Sequence, residues 1–137
     1  MYPEELIAPM RLELVKSGFT ETRTAEEVED YIKNKKGTVL VVVNSVCGCA
    51  AANARPAVKM AVQHAKRPDY LITVFAGNDV EAVKKAREYM LPFPPSSPSI
   101  ALFKDGTLVH MIERHHIEGR PAELIAQNLI SAFEENC

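Results

Sequence analysis

Cysteine is scarce in this chain: three in 137 residues, an odd number. Small secreted domains are instead stapled by a dense, even set of bridges, so that class is excluded. A dominant charge is missing too. Sixteen basic residues stand against 18 acidic ones, a formal net charge of -2, and neither sign forms a long run. Such a balance gives no sign of nucleic-acid binding. No apolar stretch is long enough to span a membrane. The opening MYPEELIAPMRLEL carries Glu4 and Glu5, with no apolar core like that of a signal peptide. There is no GxGxxG and no phosphate-binding loop, so no nucleotide or flavin site is visible. Internal repeats and low-complexity linkers are absent as well. The length predicts one domain over 1–137, able to bury a core without staples. A hydrophobic fraction of 47% and a charged fraction of 25% are ordinary for a soluble globular protein. The expected location is the cytoplasm, where an apposed pair of thiols is catalytic more often than structural.

The chain is organised around TVLVVVNSVCGCAAANAR, Thr38 to Arg55. Val39 to Val43 predicts a buried strand. Asn44 and Ser45 lead into Cys47-Gly48-Cys49, and an alanine-rich helix follows at once. A strand feeding a helix puts its loop at the carboxyl edge of a sheet, where α/β proteins hold ligands. The helix start supplies unpaired N–H groups and a partial positive charge, and both favour a thiolate. Two cysteines at such a place point to thiol–disulfide chemistry. Two buried small residues at a turn are the plain alternative. A metal site is the third, but one Cys-X-Cys lacks the second ligand pair of a zinc finger. His110, His115, His116 and Cys137 could complete it only by folding together with the motif.

Around this centre the pattern alternates. Pro3 to Lys16 predicts a helix in which Pro9 is a kink or a break, and Gly18 a stop. Phe19 to Arg23 has the alternation of a brief strand. Thr24 and Glu27 have capping-box spacing and open a helix to about Lys35, ended by Gly37. After Cys49 the helix carries Val58, Ala61, Val62 and Ala65 on one face, with a kink expected at Pro56. Tyr70 to Phe75 is a second apolar strand. Asn78 and Glu81 repeat the capping-box spacing before a helix to about Met90. LPFPPSSPS, Leu91 to Ser99, is a proline-rich loop. Asp105-Gly106 signals a hairpin between Ile100–Phe103 and Thr107–Ile112. Pro121 opens a last helix with Leu124, Ile125, Leu129, Ile130 and Phe133 on its face. Helical crossovers make the first strands parallel, and the hairpin adds antiparallel strands at one side.

This order resembles a thioredoxin-like fold: α/β, a mixed sheet of four to five strands flanked by helices, here with an extra N-terminal helix over 1–18. In that fold a redox motif follows the central strand, a proline kinks the helix below it, and a cis-proline precedes the hairpin. Cys47 and Cys49, Pro56 and Pro98 hold those places. Thioredoxins have two residues between the cysteines, whereas this chain has only Gly48. NSVCGCAAANARPA, Asn44 to Ala57, is similar to the bacilliredoxin family, as are ERHHIEGRPAELI, Glu113 to Ile125, and the opening MYPEELIAPMR.

The resemblance implies an enzyme that removes bacillithiol from mixed disulfides on cytoplasmic proteins, with Cys47 attacking and Cys49 as resolving thiol. It implies no bound cofactor and no metal; bacillithiol is the thiol substrate. The partners are bacillithiolated client proteins and a low-molecular-weight thiol, and the sequence leaves a homodimer open. Substrate-side residues are Asn44, Gly48, Asn53, Arg55 and Pro98. Arginine suits the carboxylates of such a thiol, so Arg55 and Arg120 are expected to meet it, unless they belong to a solvated helix face. Glycine at 48 is expected to supply unusual dihedrals to the tight ring. That ring is expected to put the pair's potential above the roughly -270 mV of thioredoxin. Cys49, within the first helical turn, is expected to lie deeper than Cys47. Cys137, the last residue, is expected to be a mobile, exposed thiol. A general disulfide isomerase would use the same residues, and so would a module holding copper or zinc on Cys-Gly-Cys.

Overall fold

A computed structural model describes residues 1–137. The elements run α1 (Glu4–Val15), β1 (Thr20–Glu21), α2 (Ala25–Glu29), β2 (Thr38–Asn44), α3 (Arg55–Ala61), β3 (Tyr70–Phe75), α4 (Val80–Tyr89), β4 (Ser99–Lys104), β5 (Thr107–Ile112) and α5 (Ala122–Asn136). A π-helical turn, Asp30–Asn34, extends α2, and another, Ala50–Ala54, leads into α3. The five strands form one mixed sheet in the order β1-β3-β2-β4-β5. β2 pairs parallel with β3 and antiparallel with β4, so it is central. No helix is long and apolar enough to cross a membrane.

All seven residues of β2 are buried, because helices cover both faces of the sheet. The two-residue period of a strand divides its side chains. Leu40 and Val42 join Ala57, Val58 and Ala61 of α3 and Ile125, Leu129 and Phe133 of α5 in the larger core cluster. Val39, Val41 and Val43 join Val28 of α2, Ile32 of its π-helical extension and Ala82, Val83 and Ala86 of α4 in the other. Thr24 caps α2 with the expected box: its hydroxyl accepts the Glu27 N–H, and Glu27 accepts the Thr24 N–H.

Three local expectations change. Pro9 neither splits nor ends α1, which runs on to Val15. The carbonyl it leaves unpaired belongs to Glu5, an exposed residue near the helix start, where water can satisfy it. Asn78 does not cap α4. Its amide oxygen accepts from the Tyr2 N–H and its amide nitrogen donates to the Tyr2 carbonyl, while Asp79 takes the cap position. The kink expected at Pro56 is replaced by the π turn before it. Proline clashes with the carbonyl four residues back in an α-helix. The wide turn instead lets Arg55 N–H donate five residues back, to Ala50, and places Pro56 at the start of α3.

Candidate functional site

β2 delivers the chain to the edge of the sheet at Asn44, and the polypeptide turns there into the helix. Cys47 ends the turn: its carbonyl accepts the N–H groups of Ala50 and Ala51, at 3.0 and 3.3 Å. Cys47 and Cys49 are joined as a disulfide, with Cα atoms 5.5 Å apart. Gly48 between them is exposed, and both cysteines are half-buried. The bond therefore lies at the surface, over a helix start.

The two sulfurs differ in surroundings more than in depth. Cys49 packs against the larger core cluster, and Cys47 does not. Gly48 is placed differently from expectation. It does not have the positive φ of Gly37 or Gly106, and a Cβ built on it would meet nothing within 4 Å. The ring closes without any backbone conformation reserved for glycine.

Beneath the loop lies a frame of buried polar groups. Asn44 Oδ1 accepts from Arg55 Nη1 and from the Ser45 N–H, both at 2.9 Å, while its Nδ2 donates to the Met10 carbonyl at 3.1 Å. Arg55 Nη1 also donates to the Ser45 carbonyl at 2.9 Å, and its Nε to Glu13 at 2.9 Å. Ser45 Oγ accepts the Cys47 N–H at 3.0 Å. Asn44 and Arg55, expected to meet a ligand, thus turn inward, and Arg55 is only 3% exposed. Neither is part of a solvated face. Their hydrogen bonds hold the loop that carries the cysteine pair.

Pro98 stands on the other side. The Ser97–Pro98 bond is cis, as the resemblance implies, and Leu91–Pro92 is a second cis bond. Val43 pairs with Ser99, so Pro98 is buried beside the start of the motif turn. Arg114 fixes this segment, donating its N–H to Ser96 Oγ and its Nη1 to the Ser97 carbonyl. A recess of about 150 Å³, lined by Tyr2, Ser45, Val46, Ala76, Gly77 and Ser97, runs between the two loops. Asn53, half-exposed, donates to the Arg120 carbonyl and so ties the π turn to the approach to α5. Arg120 itself is exposed.

The residues weighed as metal ligands do not converge on the motif. Cys137 sits beside Thr38, at the opposite end of β2 from the cysteine pair, with Asp69 and Lys104 nearby. It is not the mobile, exposed thiol expected of a chain end. The last turn of α5 holds it, through its N–H to the Phe133 carbonyl, against the larger core cluster, and burial pushes its thiol pKa up. His110 is engaged with Asn128. Glu113, His115 and His116 do bring ligand atoms within 4.8 Å of one another. His116 Nδ1, however, accepts the Glu113 N–H at 3.2 Å, which places its proton on Nε2 and leaves neither nitrogen free to ligate.

Sequence spacing did not find Glu13, Ser45 or the buried pair Arg11–Asp79. Arg11 and Asp79 make two hydrogen bonds of 2.8 Å, 68 residues apart in the chain, and clamp α1 onto the start of α4.

Comparison with known proteins agrees with this geometry. A family model described as "Disulphide isomerase" matches residues 2–137. A bacilliredoxin of Cytophaga hutchinsonii is 61% identical over 135 residues, covering 98% of this chain and 99% of the relative. One of Halalkalibacterium halodurans is 53% identical, covering 99% of this chain and 94% of its own. Among solved structures, oxidised mitochondrial thioredoxin 3 of Saccharomyces cerevisiae superposes with a TM-score of 0.59 at 18% identity, covering 87% of this chain and 96% of that one. Thioredoxin of Schistosoma mansoni does so with 0.57 at 20%, covering 85% and 96%. At those identities the structures speak for the fold alone, and the fold is that of thioredoxin. With a Cys-Gly-Cys disulfide at the helix start and relatives of this identity along the whole chain, the protein belongs to the bacilliredoxin family.

Proposed function

We propose that this thiol–disulfide oxidoreductase removes bacillithiol from mixed disulfides on client proteins. The observation that carries the proposal is the Cys47–Cys49 disulfide, exposed at Gly48 and set over a helix start. In the reduced protein the Cys47 thiolate attacks the bacillithiol sulfur of the mixed disulfide. The client–bacillithiol S–S bond breaks, the client leaves as its thiolate and takes up a proton, and bacillithiol is carried on Cys47. Cys49, once deprotonated, attacks Cys47 Sγ and expels bacillithiol as its thiolate. The product is the Cys47–Cys49 disulfide, the state present in this structure. Two electrons have passed to the client and its thiol, and an external thiol reductant must return them.

Three features support these roles. The helix start lowers the cost of a thiolate at Cys47. The packing of Cys49 against the core suits a thiol that meets only its neighbour. The recess lined by Ser45, Val46 and Ser97 adjoins the motif turn and suits an incoming mixed disulfide. Asn53 and Arg120, which join the π turn to the approach to α5, and the segment at Pro98, beside the motif turn, are the residues proposed to meet the substrate. Bacillithiol enters as substrate, with no resident cofactor, and the working compartment is a reducing cytoplasm.

General disulfide isomerisation is the second reading, favoured by the description of the matching family model. One experiment separates them. The reduced protein is incubated with a bacillithiolated model protein and, separately, with a protein of scrambled disulfides. Intact mass should show the client losing its thiol adduct faster than scrambled bonds rearrange. Rearrangement of scrambled bonds with the adduct left in place would overturn the proposal.

A further inference from the structure

Two groups of α1 reach the redox loop. The Met10 carbonyl accepts from Asn44 Nδ2, and Glu13 Oε2 accepts from Arg55 Nε. Arg55 binds Asn44 and the Ser45 carbonyl, and Ser45 Oγ accepts the Cys47 N–H. The path from α1 to the nucleophile is unbroken. It uses no cysteine sulfur.

We propose that Glu13 and Arg55 are a positioning pair for Cys47: Arg55 fixes the Asn44–Ser45 frame and lends its charge to the thiolate, and Glu13 moderates that charge. The proposal rests on Cys47 being the attacking thiol. Arg55 is almost wholly buried, so its charge acts on the loop with little screening. It bonds the carbonyl of Ser45, two residues before Cys47. Nearby positive charge favours thiolate over thiol. Glu13 is more exposed, at 28%, and shares its other oxygen with Lys59 at 3.4 Å, so it offsets Arg55 only in part. Other charged groups on the elements packed around the loop are Arg114, bonded to the Ser97 carbonyl, Arg120, whose carbonyl Asn53 binds, and Arg11 of α1, which Asp79 and Glu4 pair. The N-terminal helix is thereby part of the redox machinery and not an appendage.

The test is the ionisation of Cys47 in a Cys49→Ser, Cys137→Ser background, read as the pH dependence of alkylation by iodoacetamide. Arg55→Met should move the midpoint up and, at a pH well below both midpoints, slow alkylation by about threefold, the rate change for a half-unit rise. Glu13→Gln should move it down and speed alkylation. Arg55→Lys, which keeps the charge, should stay near the parent. A frame that was only structural would loosen in both variants, and both midpoints would drift the same way, toward the free value of about 8.5. Shifts of the same sign, or none in either variant, overturn the proposal. Should Arg55→Met fail to fold, Glu13→Gln decides alone: a downward shift supports the pair, and an upward or absent one overturns it. No client is present, so this outcome is independent of whether the protein removes bacillithiol.

Discussion

Replacing Asp79 by alanine removes one half of a pair that the fold has taken out of water. Arg11 and Asp79 side chains are each 5% exposed and joined by two bonds of 2.8 Å. Arg11 also lies over the Phe75 ring, 5.3 Å from its centroid, and Asp79 accepts the Phe75 N–H. Breaking such a pair leaves a buried charge uncompensated and costs about 3–5 kcal/mol. Glu4 stays bonded to Arg11 at 3.1 Å but is half-exposed, which points to the lower end, about 3 kcal/mol. With a urea m-value of about 2 kcal/mol/M, the unfolding midpoint should fall by roughly 1.5 M. The double variant Arg11→Met, Asp79→Asn removes the charge and keeps an acceptor for Phe75 N–H, so most of the loss should be recovered. Urea titration followed by circular dichroism measures both. A loss below about 1 kcal/mol for Asp79→Ala, or no recovery in the double variant, would refute the reasoning from burial.

Other outcomes follow from single groups. In the oxidised protein only Cys137 is a free thiol. Its burial predicts one slow-reacting thiol per chain with a disulfide reagent at neutral pH, rising to three after reduction and unfolding; a fast first thiol would contradict this. Gly48→Ala should leave stability and disulfide formation nearly unchanged, because the new methyl meets nothing within 4 Å and no positive φ is required. A variant that cannot form the Cys47–Cys49 bond would show that glycine is needed after all. Arg11 holds the Glu4 carboxyl below the usual carboxylate range, and a hydrogen bond from His64 does the same for Glu134. A depressed folded pKa gives stability that is present above the ordinary value near 4.5 and lost as pH falls through the lowered one. Glu4→Gln and Glu134→Gln should therefore flatten the fall of stability below that pH, as measured by acid titration of the urea midpoint.

The parts of the fold set by local pattern were legible. The β-branched run at Val39–Val43 is the central strand, the Thr24–Glu27 spacing is a true capping box, and Asp105-Gly106 turns a hairpin between β4 and β5. The cysteine pair was placed at the helix start because a strand, a polar turn and an alanine run stand in that order. Residues whose partners are distant in the chain were not legible. Arg55 looked like a ligand contact because nothing nearby announced Glu13, 42 residues away. Asn78 kept capping spacing, but its amide found the Tyr2 backbone, 76 residues off. Pro56 announced a disturbance without its form, since a kink and a π turn both answer a missing N–H.

The central claim is that Cys47 attacks and Cys49 resolves. Intact mass of enzyme and bacillithiolated client over time, for wild type and the two serine variants, tests it most directly. Cys47→Ser should leave the client's adduct in place. Cys49→Ser should remove it once and accumulate enzyme carrying bacillithiol on Cys47, with excess free thiol partly restoring turnover. An inert Cys49→Ser together with an adduct trapped on Cys47→Ser would reverse the roles and contradict the account.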